Sequence, residues 1–232
     1  MNKAQMLTNN CATCNLKFAG FDTMDNEQLS VFKESHCRVE YKKGETIIKQ
    51  GARCSNLVCI KSGYVKMHVE GLGGRSVIIK VLKPGDFIIS PGIFDDNRNH
   101  FSASAITDVN TCLISIDAFS KVFHTNHKFA ESILKHNHQL MQALYHQLIN
   151  LSHKKMTGRV ADTLLYLSGE VYQSNVFYTT LSRQDMADLS SVSKESLIRI
   201  LKDFKESGII LVEGNQFKIQ ASTTLQKISQ AG

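Results

Sequence analysis

The stretch LSRQDMADLSSVSKESLIRILKDFKESGIILVEGNQFKIQ, residues 181–220, holds two short helical periods separated by a break and followed by an alternating run. Ser182 stands where a helix wants a capping hydroxyl, with Asp185 three residues on as the acid of a capping box, so a helix is predicted through Leu189. A break follows at Ser190 to Val192. Ser193 then caps a second helix, whose apolar positions Leu197, Ile198, Leu201 and Phe204 are expected to face inward. Lys194, Glu195, Ser196 and Arg199 are left toward its outer, N-terminal side. IILVEGNQFKI turns at Gly214 and Asn215 as a hairpin does. Helix, tight turn, helix and wing form a winged helix-turn-helix, whose second helix meets base edges in the major groove.

The outer face has the chemistry for that task. A guanidinium at Arg199 can donate twice to guanine O6 and N7, and a carboxylate at Glu195 can accept from cytosine N4. Ser182, Arg183, Ser193, Lys194 and Ser196 are the further candidate DNA-contacting residues, the serines and lysine as phosphate holders. Glu195 and Arg199 are four apart and share a helix face, so the carboxylate can also orient the guanidinium.

Upstream, residues 157–169 (TGRVADTLLYLSG) form another amphipathic helix, with Thr157 as its expected N-cap. Before it, Phe129, Ile133, His136, Leu140, Leu144, Leu148 and Leu151 recur at intervals of three or four, which predicts one long helix. Its apolar stripe is longer than a small core needs. Either it lies on its own domain, or it pairs two copies of the chain as a coiled coil, with Phe129, Ile133, Leu140, Leu144, Leu148 and Leu151 as the dimer interface.

Turns crowd the first part of the chain. Nine of the 14 glycines and both prolines, Pro84 and Pro91, lie between Gly20 and Gly92, and residues 93–157 contain neither. Between them run short branched and aromatic segments: Cys37–Tyr41, Thr46–Lys49, Leu57–Lys61, Tyr64–Glu70, Ser76–Leu82, Phe87–Ser90, Phe101–Ile106 and Thr111–Ile116. Such spacing predicts an antiparallel jelly roll, with a Gly-rich hairpin loop at Gly71, Gly73 and Gly74. The fold class is therefore α+β.

The 232 residues suit two modest domains, and 42% hydrophobic with 21% charged residues is ordinary globular composition. No run of apolar residues is long enough to span a membrane, and Met1 to Cys11 lacks the apolar core of a signal peptide, so the chain reads as soluble and cytoplasmic. In that compartment the six cysteines are read as thiols, metal ligands or redox groups rather than disulfides. A net charge of +6 permits an anionic partner without demanding one. The rival class, a metal-dependent cupin-type enzyme, needs a His-x-His pair inside the barrel, whereas His36, His68 and His100 are scattered; no phosphate loop or nucleophile elbow appears.

KKGETIIKQG (42–51), IKSGYVK (60–66), LKPGDFI (82–88), TGRVADTLL (157–165) and residues 181–210 together resemble the Crp/Fnr family of bacterial transcription regulators over essentially the whole chain. The resemblance implies a cysteine-bearing N-terminal segment (1–20), a cyclic-nucleotide-binding-like jelly-roll sensor (21–118), a dimerisation helix region (119–155) and a winged helix-turn-helix domain (156–232). It places Glu195 and Arg199 on the family's base-reading pair and Lys194 on a neighbouring basic contact. It further implies a homodimer on palindromic double-stranded DNA, with RNA polymerase as a partner.

The branch that binds cyclic AMP holds ribose with the Glu of a Gly-Glu pair and phosphate with the Arg of an Arg-Ser pair. Here Ser90 replaces the Glu, His100 and Phe101 replace Arg-Ser, and Arg98 is the nearby cation, so the effector is expected not to be cyclic AMP; a cyclic-nucleotide-responsive regulator is the alternative. These four residues are the candidate effector pocket. Similarity to the oxygen-sensing branch nominates Cys11, Cys14 and Cys112 for an iron–sulfur cluster, although that branch has a further cysteine soon after its first pair and here the next is Cys37. Haem, as in the carbon-monoxide-sensing branch, would draw on His124, His127, His136, His138, His146 or His153.

Overall fold

The computed structural model describes residue 18, residues 20–71 and residues 76–232. Cys11, Cys14, Gly73 and Gly74 fall outside the described residues. The first helix, α1 (Asn26–Ser35), starts at a capping box in which Asp25 accepts from the Gln28 amide at 2.8 Å and Gln28 Oε1 accepts from the Asp25 amide. The Asp-x-x-Gln signal is in the sequence, but only Phe32 of this helix is buried. Its apolar period is accordingly faint, and the sequence reading missed it.

Eight strands follow, all within a few residues of the expected runs: β1 (His36–Tyr41), β2 (Thr46–Ile48), β3 (Asn56–Ser62), β4 (Val65–Glu70), β5 (Ser76–Leu82), β6 (Phe87–Ile88), β7 (Ser102–Ala105) and β8 (Val109–Ser115). They form two four-stranded sheets, ordered β1-β8-β3-β6 and β2-β7-β4-β5, with antiparallel pairing throughout. Val58, Ile60, Leu82, Phe101 and Ala103 fill the space between them. The outer face of the first sheet is also covered, because Leu57, Cys59 and Ile114 pack against Phe32, Phe119, Phe129 and Ile133. Burial on both faces is why Leu57 to Ile60 reads as a continuous apolar run rather than an alternation.

After α2 (Ile116–Thr125), Asn126 caps α3 (His127–His153), a helix of 27 residues. Two residues of the expected dimer interface are spent inside the protomer: Phe129 and Ile133 are 0% exposed in the core beneath the first sheet. Leu140 leans on the barrel. Leu134, Met141, Leu144, Tyr145, Leu148 and Leu151 remain exposed. Leu134, Met141 and Leu148 repeat every seven residues, with Leu144 and Leu151 interleaved as the second position of a heptad.

The chain reverses at Lys154 and Lys155, both extended, so α4 (Met156–Tyr166) is already under way at Thr157. Its N-cap is Lys155, which makes no side-chain cap, and the expected Thr157 cap is corrected accordingly. Gly158 is glycine for a packing reason: a Cβ there would lie 2.9 Å from Gly232 Cα at the end of the last helix. A π-helical turn, Leu167–Val171, closes α4. Then come β9 (Val176–Tyr178), α5 (Arg183–Ser190), α6 (Lys194–Glu206), β10 (Ile210–Glu213), β11 (Gln216–Ile219) and α7 (Ser222–Ala231). The wing hairpin β10–β11 gains β9 as a third strand, and α7 packs on α4; neither β9 nor α7 carries a strong local signal. Among the described residues no helix is long and apolar enough to cross a membrane.

This C-terminal unit is docked on the barrel. Val81 and Ile106 belong to its core cluster, with Tyr64 packed beside them. Tyr166 accepts from the Val81 amide at 3.0 Å and its hydroxyl lies 3.3 Å from the Val81 carbonyl oxygen. Lys66 of β4 reaches Asp185 of α5 at 2.5 Å, with both side chains largely covered. Burial pushes the Asp185 carboxyl up, but hydrogen bonds from Lys66 and Ser182 outweigh it and the net direction is down. The ion pair therefore stabilises above the ordinary carboxylate range and is lost as pH falls through the depressed value. Lys66→Met should cost about 1–3 kcal/mol in calorimetric unfolding, because it strands a covered carboxylate; adding Asp185→Asn should restore most of the loss.

Candidate nucleic-acid interface

α5 and α6 are built by local capping. Ser182 Oγ accepts from the Asp185 amide at 3.0 Å while Asp185 Oδ2 accepts from the Ser182 amide at 3.1 Å. Ser193 Oγ accepts from the Ser196 amide at 3.1 Å. The turn between the helices passes through Ser191 in the left-handed region, at φ 52°. These are interactions over three or four residues, which is why both helices and their break were legible.

α6 buries Leu197, Ile200, Leu201 and Phe204. Ile200, not Ile198, completes the inward face, which corrects the sequence reading. Ile198 lies about 100° around the helix from Leu197, outside the arc that holds Ile200, Phe204, Leu197 and Leu201, and it is 50% exposed. Lys194, Glu195, Ile198 and Arg199 therefore form one exposed ridge, and an aliphatic group there can contact a thymine methyl. Hydrogen bonding with its own backbone amide and with Ser193 holds the Glu195 carboxyl below its usual range, so it is ionised and able to accept at neutral pH. Among the described residues no ion pair joins Glu195 to Arg199, so Arg199 is not held by its helical neighbour.

Arg183 is placed differently. Its Nη2 donates to the Gly214 carbonyl at 2.6 Å, and the guanidinium sits 5.0 Å from the Phe217 ring centre. Burial lowers its pKa. It braces the wing against α5, and its donors are partly committed inside the protein.

The candidate effector residues do not converge. Ser90 donates to the Arg98 carbonyl at 3.2 Å, Arg98 Nη1 donates to the Gly51 carbonyl at 2.8 Å, and His100 pairs with Asp96 at 3.2 Å on the surface. Phe101 is core. The cavity between the barrel and α3, beside Leu82, Phe87, His136 and Leu140, measures about 10 Å³, room for about one water, where a ligand pocket needs at least about 300 Å³. His136 is stacked on Phe87 with ring centres 4.0 Å apart, and burial, assisted by Lys80, lowers its pKa to about 4. These residues fit neither a cyclic nucleotide nor haem. His124, His127, His138, His146 and His153 are exposed.

Of the proposed cluster ligands only Cys112 is described, and it stands opposite Cys59 across the β3–β8 ladder. Among the described residues no three His, Cys, Asp or Glu side chains gather to hold a metal.

A family model described as a cyclic nucleotide-binding domain matches residues 38–126, and one described as a Crp-like helix-turn-helix domain matches residues 158–228. The chain belongs to the Crp/Fnr family of DNA-binding transcription regulators. This Crp/Fnr regulator is 26% identical over 185 residues to the cAMP-activated global transcriptional regulator CRP of Salmonella typhimurium, covering 78% of this chain and 88% of that one. It is 28% identical over 188 residues to the cAMP-activated global transcriptional regulator Vfr of Pseudomonas aeruginosa, with the same coverage. Its fold matches that of FixK2 from Bradyrhizobium japonicum with a TM-score of 0.78 at 20% identity, over 85% of this chain and 98% of that one. The relatives are regulators and not enzymes, and the cupin reading finds no support.

Proposed function

We propose that this Crp/Fnr regulator acts as a homodimer that reads two half-sites of a palindromic operator, one with each α6. The observation that carries the reading is the division of α6, whose buried face is locked into the C-terminal core while Lys194, Glu195, Ile198 and Arg199 stand exposed along the other. In this reading Arg199 donates to guanine, Glu195 accepts from cytosine, Ile198 covers a thymine methyl, and Lys194 holds a phosphate. Arg183 acts through the wing it braces. The exposed leucine stripe of α3 pairs two copies, which sets the two recognition helices about one turn of duplex apart. The molecule works in the cytoplasm and answers to RNA polymerase as its family does. The collapsed space beside Phe87 and His136 supports an effector other than cyclic AMP in the barrel.

Arg199→Ala tests the assignment on a palindrome selected from a random DNA library. It should cost about 1–3 kcal/mol per half-site and relax preference at one base pair, with random DNA bound as before. Lys194→Ala should weaken all sequences alike and reduce the salt slope by about 1. Equal loss on selected and random DNA for Arg199→Ala defeats the reading.

A further inference from the structure

The barrel and the C-terminal unit also touch at the turn between β3 and β4. The contacts at Tyr166 and Lys66 end on α4 and α5, whereas this one leads toward the wing. Tyr64 of that turn meets Tyr172, which directly follows the π-helical turn, with ring centres 5.6 Å apart. Tyr172 is stacked on Phe177 of β9 at 5.0 Å with the planes 11° apart, and Phe177 on Phe217 of β11 at 5.6 Å and 5°. Arg183 ends the column over Phe217.

The Tyr172 hydroxyl grips the backbone as well. It accepts from the Thr180 amide at 3.0 Å and lies 3.2 Å from the hydroxyls of both Thr179 and Thr180. The segment it holds feeds both DNA-facing parts: the Thr179 amide donates at 2.9 Å to the carbonyl of Asn215 at the wing turn, and Ser182 caps α5. Tyr64 is itself fixed. Its amide donates to Thr107 Oγ1 at 3.0 Å and its carbonyl accepts from the Ile106 amide at 2.8 Å. Gly63 before it sits at φ 84°, and a Cβ there would collide with the Asp108 carbonyl oxygen, so this backbone has little room to adjust.

We propose that Tyr172 is a positioning residue for DNA binding, which takes its place from Tyr64 and sets the wing and the start of α5 relative to the barrel. This role rests on the regulator reading above, in which α6 enters the groove with the wing beside it. Lys218 of β11 is exposed and there holds a phosphate flanking the half-site. The ring contacts and the Thr180 hydrogen bond hold that lysine's strand in place before DNA arrives, so less freedom is lost on binding. Displacing the β3–β4 turn moves the same chain of contacts, which gives the barrel a hold on the wing separate from α3.

Full-length Tyr64→Leu, Tyr64→Phe and Tyr172→Phe, each checked for fold by circular dichroism, are titrated with the selected palindrome and footprinted with hydroxyl radicals. Tyr64→Leu removes the ring at the barrel end. It should raise the operator Kd about three- to tenfold, the range of one aromatic pair, while protection flanking the bases read by α6 fades and base preference stays. Tyr64→Phe keeps the ring and should behave as the wild type. Tyr172→Phe keeps the packing and loses only the hydroxyl; it should show the same local loss of protection. The double variant Tyr64→Leu with Tyr172→Phe should lose less than the product of the two single losses. Should Tyr64→Leu not fold, Tyr172→Phe decides alone. Unaltered flanking protection, an even fading of the whole footprint, or losses that simply multiply overturns the proposal. If the wild type protects no palindrome, the regulator reading falls; if it does and the variants match it, the role of Tyr172 falls alone.

Discussion

Leu144→Asp combined with Leu148→Asp should convert the protein to a monomer and lower operator affinity by at least about 100-fold. Both side chains are exposed in the protomer, at 41% and 62%, so neither change disturbs the barrel or the C-terminal core. In the proposed dimer each leucine is present twice. With about half of each side chain left to bury, losing four leucines removes about 3–6 kcal/mol from association, before the repulsion of four carboxylates is added. DNA affinity then falls because the second half-site contact is no longer intramolecular, and linking two modules is worth about 10²–10⁴ in affinity. Sedimentation equilibrium and titration of the selected palindrome check both steps. Retained circular dichroism with a monomer mass is expected; a dimer of unchanged affinity removes α3 as the pairing element. Leu140→Asp provides the contrast. It faces the barrel and should destabilise the protomer itself.

Acid should loosen the contact between α3 and the barrel through His136. Burial against Phe87 lowers its pKa from the ordinary 6.5 to about 4, so between those values the unfolded chain binds a proton that the native state refuses. Stability therefore falls as pH drops from about 6.5 to about 4 and levels off below, by about 3 kcal/mol for this group. The Asp185 carboxyl, held below the usual carboxylate range, gives up its ion pair only below this window. His136→Gln removes the titration while keeping a polar side chain of similar size. The difference between variant and wild type, followed by urea unfolding at pH 7 and pH 4, should change by about 3 kcal/mol in favour of the variant at pH 4. A constant difference would mean that His136 titrates alike in the native and unfolded states.

How much of this could be read without coordinates depended on the range of the interactions involved. The helix-turn-helix was legible because Ser182 with Asp185 and Ser193 with Ser196 act over three residues, and Gly214 takes the turn of the wing at φ 57°. The exposure of Ile198 follows from periodicity alone, because it stands about 100° from Leu197 and outside the arc of Ile200, Leu201 and Phe204. α1 was overlooked because its capping box is followed by a single buried residue. The effector candidates Ser90, Arg98, His100 and Phe101 were neighbours in sequence, and no local rule shows that one side chain enters the core while others close onto Gly51 and Asp96.

The amino-acid sequence by itself determined the order of the parts: a strand-rich barrel, a long helix, and a capped pair of helices with a wing. Those features follow from periodicity, caps and turns, which neighbouring residues settle between themselves. Only the tertiary structure decided which side of α3 is free. Phe129, Ile133 and Leu140 share the helical period of Leu144 and Leu148 but are claimed by strands and helices from elsewhere in the chain. It also decided that Phe87 and His136 close the barrel cavity and that Tyr64 and Tyr172, far apart in sequence, meet ring to ring. Burial is a property of what packs against a residue, and those partners lie far away along the chain.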